Sequence, residues 1–555
     1  MRLSLGKVNL PRSITCLRGY STSDFTSDLI AGLTVGLVAL PLAMAFAISS
    51  GVPPQAGIYT AVVAGLLISA LGGSRCQIGG PTGAFVVVVS GIVAKYGIDG
   101  LFMCTMMAGV LLMILGITGL GTAVKYIPRP VVIGFTNGIA VLIASTQIKD
   151  FFGIKVEHLP GEFFGRMSVL AQSFHTLSLT TAFVATASLA LIIFMMRYVR
   201  RVPGSIVALF LGTAVAWGMH LPIETIESRF GGIPGGLPQF VIPSFRPELI
   251  LLLLSPVLTV TMLGAVESLL SAVVADRMSG DKHDSNTELF AQGVANFCSP
   301  FFGGLPATGA IARTATNIRS GARTPMSGII HALVLLVILL VAAPFAKHIP
   351  LAVLSAILFV VAYNMGEWRG IGEILKLTKA DIAVWLITFA LTVFADLSVA
   401  VEAGMILAAL LYIGKVTATT TVSEITPEYV RDGFQHSLQT NELPIGVAAF
   451  RIHGPFLFGC TDKLEVVTDQ LDSLPKVVML RLRNMTAIDA TGLHALEHLA
   501  DRLHSTGREL IVCGMRTQPL KLIRQGEFDS HLGHKNICPT LESAITRAKE
   551  VLAEA

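Results

Sequence analysis

The sequence predicts an α-helical membrane domain of about fourteen transmembrane segments, in two halves of opposite orientation, followed by a small C-terminal α/β domain. Three observations predict it. Hydrophobic residues make up 53% of the 555-residue chain and charged residues 14%, against roughly 45–50% and about 25% in soluble domains. The charge is also uneven: 27 of the 76 Asp, Glu, Lys and Arg residues fall within 441–555, and the preceding 440 residues hold the other 49. Finally, two similar Gly/Pro-interrupted stretches recur at matched offsets in the two halves of the apolar part. So few charges could not cover a water-soluble particle of this size, which excludes an aqueous enzyme.

Apolar runs of about 17–25 residues can cross a bilayer as helices. They lie near 28–49, 56–73, 100–121, 130–148, 177–196, 203–220, 254–275, 326–344, 380–396 and 398–414, with shorter pieces near 83–95, 286–302, 309–319 and 350–364. Residues 1–27 carry no apolar stretch and are expected to be a cytoplasmic segment, not a cleavable signal peptide. Counting from there, one side of the membrane receives Arg75, Lys125, Arg200, Arg201, Arg277, Lys282 and Arg323, whereas the opposite connections are short or mix acids with bases. This asymmetry predicts both termini on the cytoplasmic side of an inner or plasma membrane. The domains expected are 28–414 for the membrane part, 415–440 for a polar linker and 441–555 for the soluble part.

The two recurring stretches are Gly79-Gly80-Pro81-Thr82-Gly83-Ala84 and Gly304-Leu305-Pro306-Ala307-Thr308-Gly309-Ala310. Each follows the start of a long span by about 50 residues and precedes a short apolar piece. An odd number of spans separates them, so the two halves have opposite orientation. Paired segments of this kind point to a transporter binding site. A half-helix that begins at mid-membrane presents unsatisfied N–H groups and a positive dipole end to the gap before it. Two such ends make a pocket for an anion without a lysine.

Ionisable groups are scarce in the spans. Glu267 lies well inside an apolar one, where a charge costs roughly 2.5 kcal/mol or more unless it faces a cavity or a partner. It is therefore the candidate to bind and release a coupling proton, with Ser271 as a second candidate for ion coupling; the alternative is a structural carboxyl bonded to a neighbouring helix. Arg313 follows the second half-helix start by about one turn and can add a fixed positive charge to the pocket. His331 reads as a satisfied helix-packing histidine, and Asp28, Asp276 and Asp381 as interfacial residues at segment ends. The glycines of 116–121 lie within a span, without the strand and turn of a nucleotide loop, and no Walker A pattern occurs. Seven irregularly spaced cysteines give no disulfide framework and no metal pattern, so neither cofactor nor metal is expected. A net charge of +4 is too small to suggest nucleic acid.

Together these stretches resemble the sulfate permease (SulP) family of anion transporters. The resemblance is carried by DLIAGLTVGLVALPLAMAFAISSGVPPQAGIYTAVVAG (28–65), GGPTGAF (79–85) and LGAVESLLSAVVADRMSGDKHDSNTELFAQGVANFCSPFFGGLPATGAIARTATNIRSGARTP (263–325). It implies fourteen transmembrane segments in two inverted seven-segment repeats, a core that moves against a gate, a cytoplasmic STAS domain, and an anion site at the two half-helix starts. Carried over by position, that site comprises Thr82, Gly83 and Ala84, then Gly309, Ala310 and Ile311, with Phe46 from the first span and Arg313 behind. Glu267 matches the family's coupling-ion acid. Sodium-coupled bicarbonate members have Asp at that position and threonine where Ile311 stands, so the resemblance favours a proton here. The stretches around Glu267 and Ala310 are most similar to the branch that moves C4-dicarboxylates; sulfate and bicarbonate are the other substrate classes implied. Relatives of this kind are commonly homodimers.

Beyond the linker, strands near 446–452, 477–482 and 510–513 alternate with helices near 461–473, from 490, near 517–525 and near 540–552. That alternation is a small α/β domain. It resembles a STAS domain, with Ile488-Asp489-Ala490-Thr491-Gly492 at the strand-to-helix turn. Anti-sigma-factor antagonists of that fold carry a phosphorylated serine where Ala490 stands, so that switch is expected to be absent. A folding, trafficking or dimerisation module, or a docking site for a cytoplasmic protein, is expected instead. The whole reads as a proton-coupled secondary transporter of small anions. An uncoupled anion exchanger or channel, a bicarbonate transporter and a nucleobase permease of the same fold are the alternatives, and no catalytic constellation suggests an enzyme.

Overall fold

The computed structural model describes residues 8–119, 128–156, 159–199, 203–233, 235–395, 397–425 and 443–554. Two compact units are present, Met1–Ile406 and Leu407–Ala555.

The first unit is built of helices. α1 (Thr22–Ser49) opens on a capping box in which the Ser21 hydroxyl accepts from the Asp24 N–H and the Asp24 carboxylate accepts from the Ser21 N–H. α2 (Pro54–Leu71) begins on a proline, whose missing N–H is no loss in a first turn. α3 (Ala84–Thr118) is broken at Gly97, which holds φ +72° and ψ −175°. That conformation is open only to glycine, and it divides α3 into the short piece and the long span that the sequence predicts. α4 (Arg129–Phe152), α5 (Leu179–Tyr198), α6 (Gly204–Gly218), α7 (Ile250–Ser279), α8 (Ser285–Cys298), α9 (Ile311–Arg319), α10 (Met326–Ala346), α11 (Leu351–Met365), α12 (Lys379–Phe394) and α13 (Leu397–Thr419) follow. Among the described residues, eight helical stretches are long and apolar enough to cross a membrane. The helices named here, with α3 divided at Gly97, are consistent with fourteen segments.

The N-terminal segment bonds to the connections after α2 and α7 and to the first turn of α8, through Arg12 N–H to Gly72 O at 3.0 Å, Arg12 Nη2 to Lys282 O at 2.6 Å and Asn9 N–H to Thr287 Oγ1 at 3.0 Å. Arg75 and Lys282 therefore share a side with that segment. Arg323 joins them through Asp24 at 2.9 Å. Arg12 and Arg75 both reach Asp281, at 3.9 and 3.6 Å, and other ion pairs join Arg229 with Asp150 at 2.8 Å, Arg246 with Asp99 at 3.1 Å and Lys347 with Glu227 at 3.2 Å. Lys125, Arg200 and Arg201 lie outside the described residues.

Asp28, expected at the interface from its place at a segment end, is wholly buried within the protein, and its carboxylate accepts from the N–H groups of Arg323 and Thr324, from the Thr324 hydroxyl at 2.5 Å and from the Tyr20 hydroxyl at 3.1 Å. Four donors replace the water it gives up, which is the condition for burying a carboxylate.

The second unit begins within α13. Val416–Thr419 continues α13, and β3 (Thr421–Glu424) pairs antiparallel with β4 (Val447–Phe456). The threonine- and valine-rich run there suits an extended, half-buried strand; residues 426–440 lie outside the described residues. β5 (Val477–Arg481), β6 (Met485–Ile488), β7 (Glu509–Cys513) and β8 (Ile537–Cys538) complete a sheet of order β3-β4-β5-β7-β8, with β6 pairing β4. All pairings beyond β3–β4 are parallel. α14 (Ala490–Ser505) and α15 (Thr517–Gln525) follow β6 and β7, and α16 (Leu541–Ala553) closes the chain. The helix expected over 461–473 is instead three short turns, Thr461–Leu464, Glu465–Thr468 and Leu471–Ser473. Asp489 caps α14, accepting from the Gly492 N–H at 2.8 Å and, across the turn, from the Phe458 N–H at 3.0 Å. Burial pushes the Cys513 thiol up to about 11, which leaves it unreactive at neutral pH.

Candidate anion-binding site

The two Gly/Pro stretches meet in space. β1 (Gly79–Gly80) and β2 (Thr308–Gly309) cross as a two-residue antiparallel ladder, Gly79 opposite Gly309 and Gly80 opposite Thr308. Gly309 and Gly80 are both closely packed by side-chain ends. A Cβ on Gly309 would lie 1.6 Å from Gln77 Nε2, and one on Gly80, at φ +147°, would lie 2.7 Å from Arg313 Nη1. Beyond the ladder each strand runs into a helix, α3 at Ala84 and α9 at Ile311. Neither start is capped by a side chain; at α3 the Phe85 and Val86 N–H groups bond to the Thr82 and Gly83 carbonyls, whereas the first three N–H groups of α9 have no partner within their own helix.

A cavity of about 400 Å3 opens before these two starts, within the range of small-molecule sites. Thr82, Gly83 and Ala84 line it from one helix, and Ala310, Ile311 and Arg313 from the other. Phe46 of α1 and Glu267 of α7 also face it. Thr82 Oγ1 donates to Glu267 Oε2 at 2.9 Å, which joins the half-helix start to the acid. Arg313 is 3% exposed and its Nη2 donates to the carbonyl of Pro81. It spans the gap between the two starts and does not snorkel outward.

Two residues singled out in the sequence stand off the cavity wall. Gly309 is enclosed in the ladder, and its N–H donates to Ser268 Oγ at 3.2 Å. Ser271 is wholly buried, 3.1 Å from Thr314 Oγ1. The same Thr314 oxygen accepts from the Ile78 N–H. Glu267, Ser268 and Ser271 occupy one face of α7 because residues three and four apart share a helix face. Only Glu267 reaches the cavity; the two serines fasten the strands behind it.

His331 is buried, but among the described residues neither ring nitrogen has a hydrogen-bond partner. The facing wall of the cavity went unread in the sequence: Phe135 and Thr136 from α4, Asn364 and Met365 from the end of α11, then Glu367 and Met405. Asn364 and Glu367 interrupt an otherwise apolar stretch and are the signal that was available.

Two uncapped helix starts, a bridging arginine and a carboxyl at an apolar cavity within a multi-pass membrane domain define an anion transporter, not an enzyme. The chain belongs to the sulfate permease family: residues 25–388 match that family and residues 440–544 match the STAS domain. It is 41% identical over 522 residues to YvdB of Bacillus subtilis (strain 168), whose sulfate-transporter name is provisional, covering 94% of this chain and 97% of that one. It is 31% identical over 525 residues to the bicarbonate transporter BicA of Picosynechococcus sp., covering 90% and 92%. The solved structure of SLC26A9 superposes with a TM-score of 0.85 at 19% identity, covering 98% of this chain and 93% of that one. That likeness establishes the shared fold.

Proposed function

We propose that the protein is a secondary active transporter that binds a small anion between the starts of α3 and α9 and takes up a coupling proton on Glu267, in an alternating-access cycle. The observation that carries this reading is the Thr82–Glu267 hydrogen bond. Through it, the protonation state of the acid acts directly on the helix start that faces the anion. The substrate is of the sulfate or C4-dicarboxylate class. Sulfate is favoured by the relative with the sulfate-transporter name and bicarbonate by BicA, so bicarbonate is the second substrate to test. Sodium coupling is disfavoured because Ile311, on the cavity wall, offers no side-chain oxygen to a hard cation.

Basic connections that share a side with the N-terminal segment support cytoplasmic termini in an inner or plasma membrane. A homodimer, with the STAS domain as a docking module for a cytoplasmic protein, completes the reading.

The test is uptake of labelled sulfate, succinate and bicarbonate into liposomes holding the purified protein, with and without an inward proton gradient. The expected result is gradient-stimulated uptake that Glu267→Gln abolishes. Gradient stimulation that survives Glu267→Gln would remove that residue from the coupling, and uptake of none of the three anions would overturn the substrate assignment.

A further inference from the structure

The outer face of α14, in the STAS domain, carries His494-Ala495-Leu496-Glu497-His498. Leu493, Leu496 and Leu499 of this helix are buried, so the two histidines one turn apart lie on the exposed side. Their rings stand 4.3 Å apart between centroids, and His494 Nε2 and His498 Nε2 approach to 3.1 Å. His494 Nδ1 lies 3.0 Å from Glu497 Oε2, and the Glu497 side chain is 17% exposed.

We propose that His494 and His498 form a chelating site for one divalent late transition metal ion, of the copper, nickel or zinc class, on the surface of the STAS domain. The geometry is that of a two-imidazole chelate. With metal–nitrogen bonds of about 2.0–2.1 Å, two ligating nitrogens are separated by about 2.9 Å at a right angle and about 3.3 Å at the tetrahedral angle. The observed 3.1 Å lies between them.

Glu497 supplies the second element. A metal-ligating histidine donates its other ring N–H to a carboxylate, which fixes the tautomer and the ring. Accepting from His494 Nδ1, Glu497 leaves the His494 Nε2 lone pair turned toward His498. In the metal-free protein His498 Nε2 donates its hydrogen to that lone pair. On binding, His498 moves its proton to Nδ1 and both Nε2 lone pairs face the ion.

The run also matches the H-x-x-E-H pattern of a class of zinc peptidases. That chemistry needs a third protein ligand and a cleft. Among the described residues no group of three or more His, Cys, Asp or Glu side chains is placed to hold a metal, and the pair lies on an open helix face. Asp501, one turn beyond His498, is engaged by His531 at 2.9 Å. The site is therefore a two-ligand chelate, with its remaining positions open to water or to a donor from another chain.

The test is calorimetric titration of the full-length protein, purified in detergent without a polyhistidine tag, with copper(II), nickel(II) and zinc(II) chlorides. One site per chain is expected, strongest for copper as the general affinity order for such ligands requires. His494→Gln and His498→Gln should each weaken binding by about tenfold or more, and Glu497→Gln by about 10–100-fold. His504→Gln, an exposed histidine near the end of the same helix, should bind as the unaltered protein does. Copper-loaded protein should show imidazole nitrogen hyperfine coupling in its electron paramagnetic resonance spectrum. Unchanged affinity and stoichiometry in both His494→Gln and His498→Gln, or a copper spectrum without nitrogen coupling, would overturn the proposal.

Discussion

Replacing Thr82 by valine tests whether the helix start and the buried acid work as one unit. The change keeps the side-chain shape and removes one hydroxyl, whose oxygen lies 2.9 Å from Glu267 Oε2. A hydrogen bond to a charged group contributes about 1.5–3 kcal/mol, and one between neutral groups about 0.5–1.5 kcal/mol. Each 1.4 kcal/mol is a factor of about ten. Thr82→Val is therefore expected to lower kcat/KM for anion uptake about 10- to 150-fold when Glu267 is present. In a Glu267→Gln background only a neutral bond remains to be lost, and the same change should cost about 2- to 10-fold. The double-mutant cycle then gives a coupling of about 1 kcal/mol. Uptake into liposomes is the primary assay. The midpoint of thermal unfolding in detergent is the second, and it applies even where Glu267→Gln does not transport. Effects of Thr82→Val that agree in the two backgrounds to within about 0.3–0.5 kcal/mol, the ordinary limit of additivity, would refute the pairing and with it the proposed link between proton and anion.

Three further outcomes follow from the packing of the membrane unit. Gly309→Ala places a carbon 1.6 Å from Gln77 Nε2, so the Gln77 amide must leave its 3.1 Å bond to the Ser268 carbonyl; stability should fall by about 1–3 kcal/mol, read as a lower unfolding midpoint in detergent. Gly91→Ala in α3, which meets nothing within 4 Å, should be retained and gain roughly 0.5–1 kcal/mol as a helix-interior substitution. His331→Leu removes a buried ring with two unpartnered nitrogens, and an unmet buried polar group costs about 1–3 kcal/mol. The unfolding midpoint in detergent should hold or rise, and a fall of several degrees would show that the ring is bonded.

The half-helix starts, the acid and the arginine were legible because each breaks a rule of its surroundings: glycine and proline within apolar runs, and lone charges where lipid-facing chains carry none. Gly309 and Ser271 belonged to the same stretches but serve the ladder behind the cavity. Which atoms of a stretch face the cavity is set by one turn of helix or one strand alternation, finer than a spacing argument resolves. Asp28 escaped for a related reason. Its donors are Tyr20 and, nearly 300 residues away in sequence, Arg323 and Thr324, and only the fold brings them together. The far wall around Phe135 and Asn364 went unread because its helices bear no motif, and Asn364 and Glu367 are isolated polar residues near a segment end. In the STAS domain β6 and β8 have too few residues to show a period, whereas β5 and β7 announce themselves as buried parallel strands.

The charge balance of the cavity ties the substrate class to the coupling. Each half-helix start contributes about +0.5 of a charge, and Arg313 contributes a full positive charge. An ionised Glu267 cancels the arginine and leaves about +1, whereas a protonated Glu267 leaves about +2. Glu367 also lines the cavity but is exposed, so water and salt screen it. The remaining wall is mostly apolar, and charges act strongly where water is scarce. On the proposed reading a proton on Glu267 therefore favours a dianion more than a monoanion. Sulfate or succinate uptake should rise more steeply with an inward proton gradient than bicarbonate uptake does, measured in the same liposomes at matched fractional saturation. Gradient responses that are equal for dianion and monoanion would show that Glu267 acts on something other than the charge of the site. The Thr82 hydroxyl would then be the place to look, since it alone connects the acid to the helix start without passing through the anion.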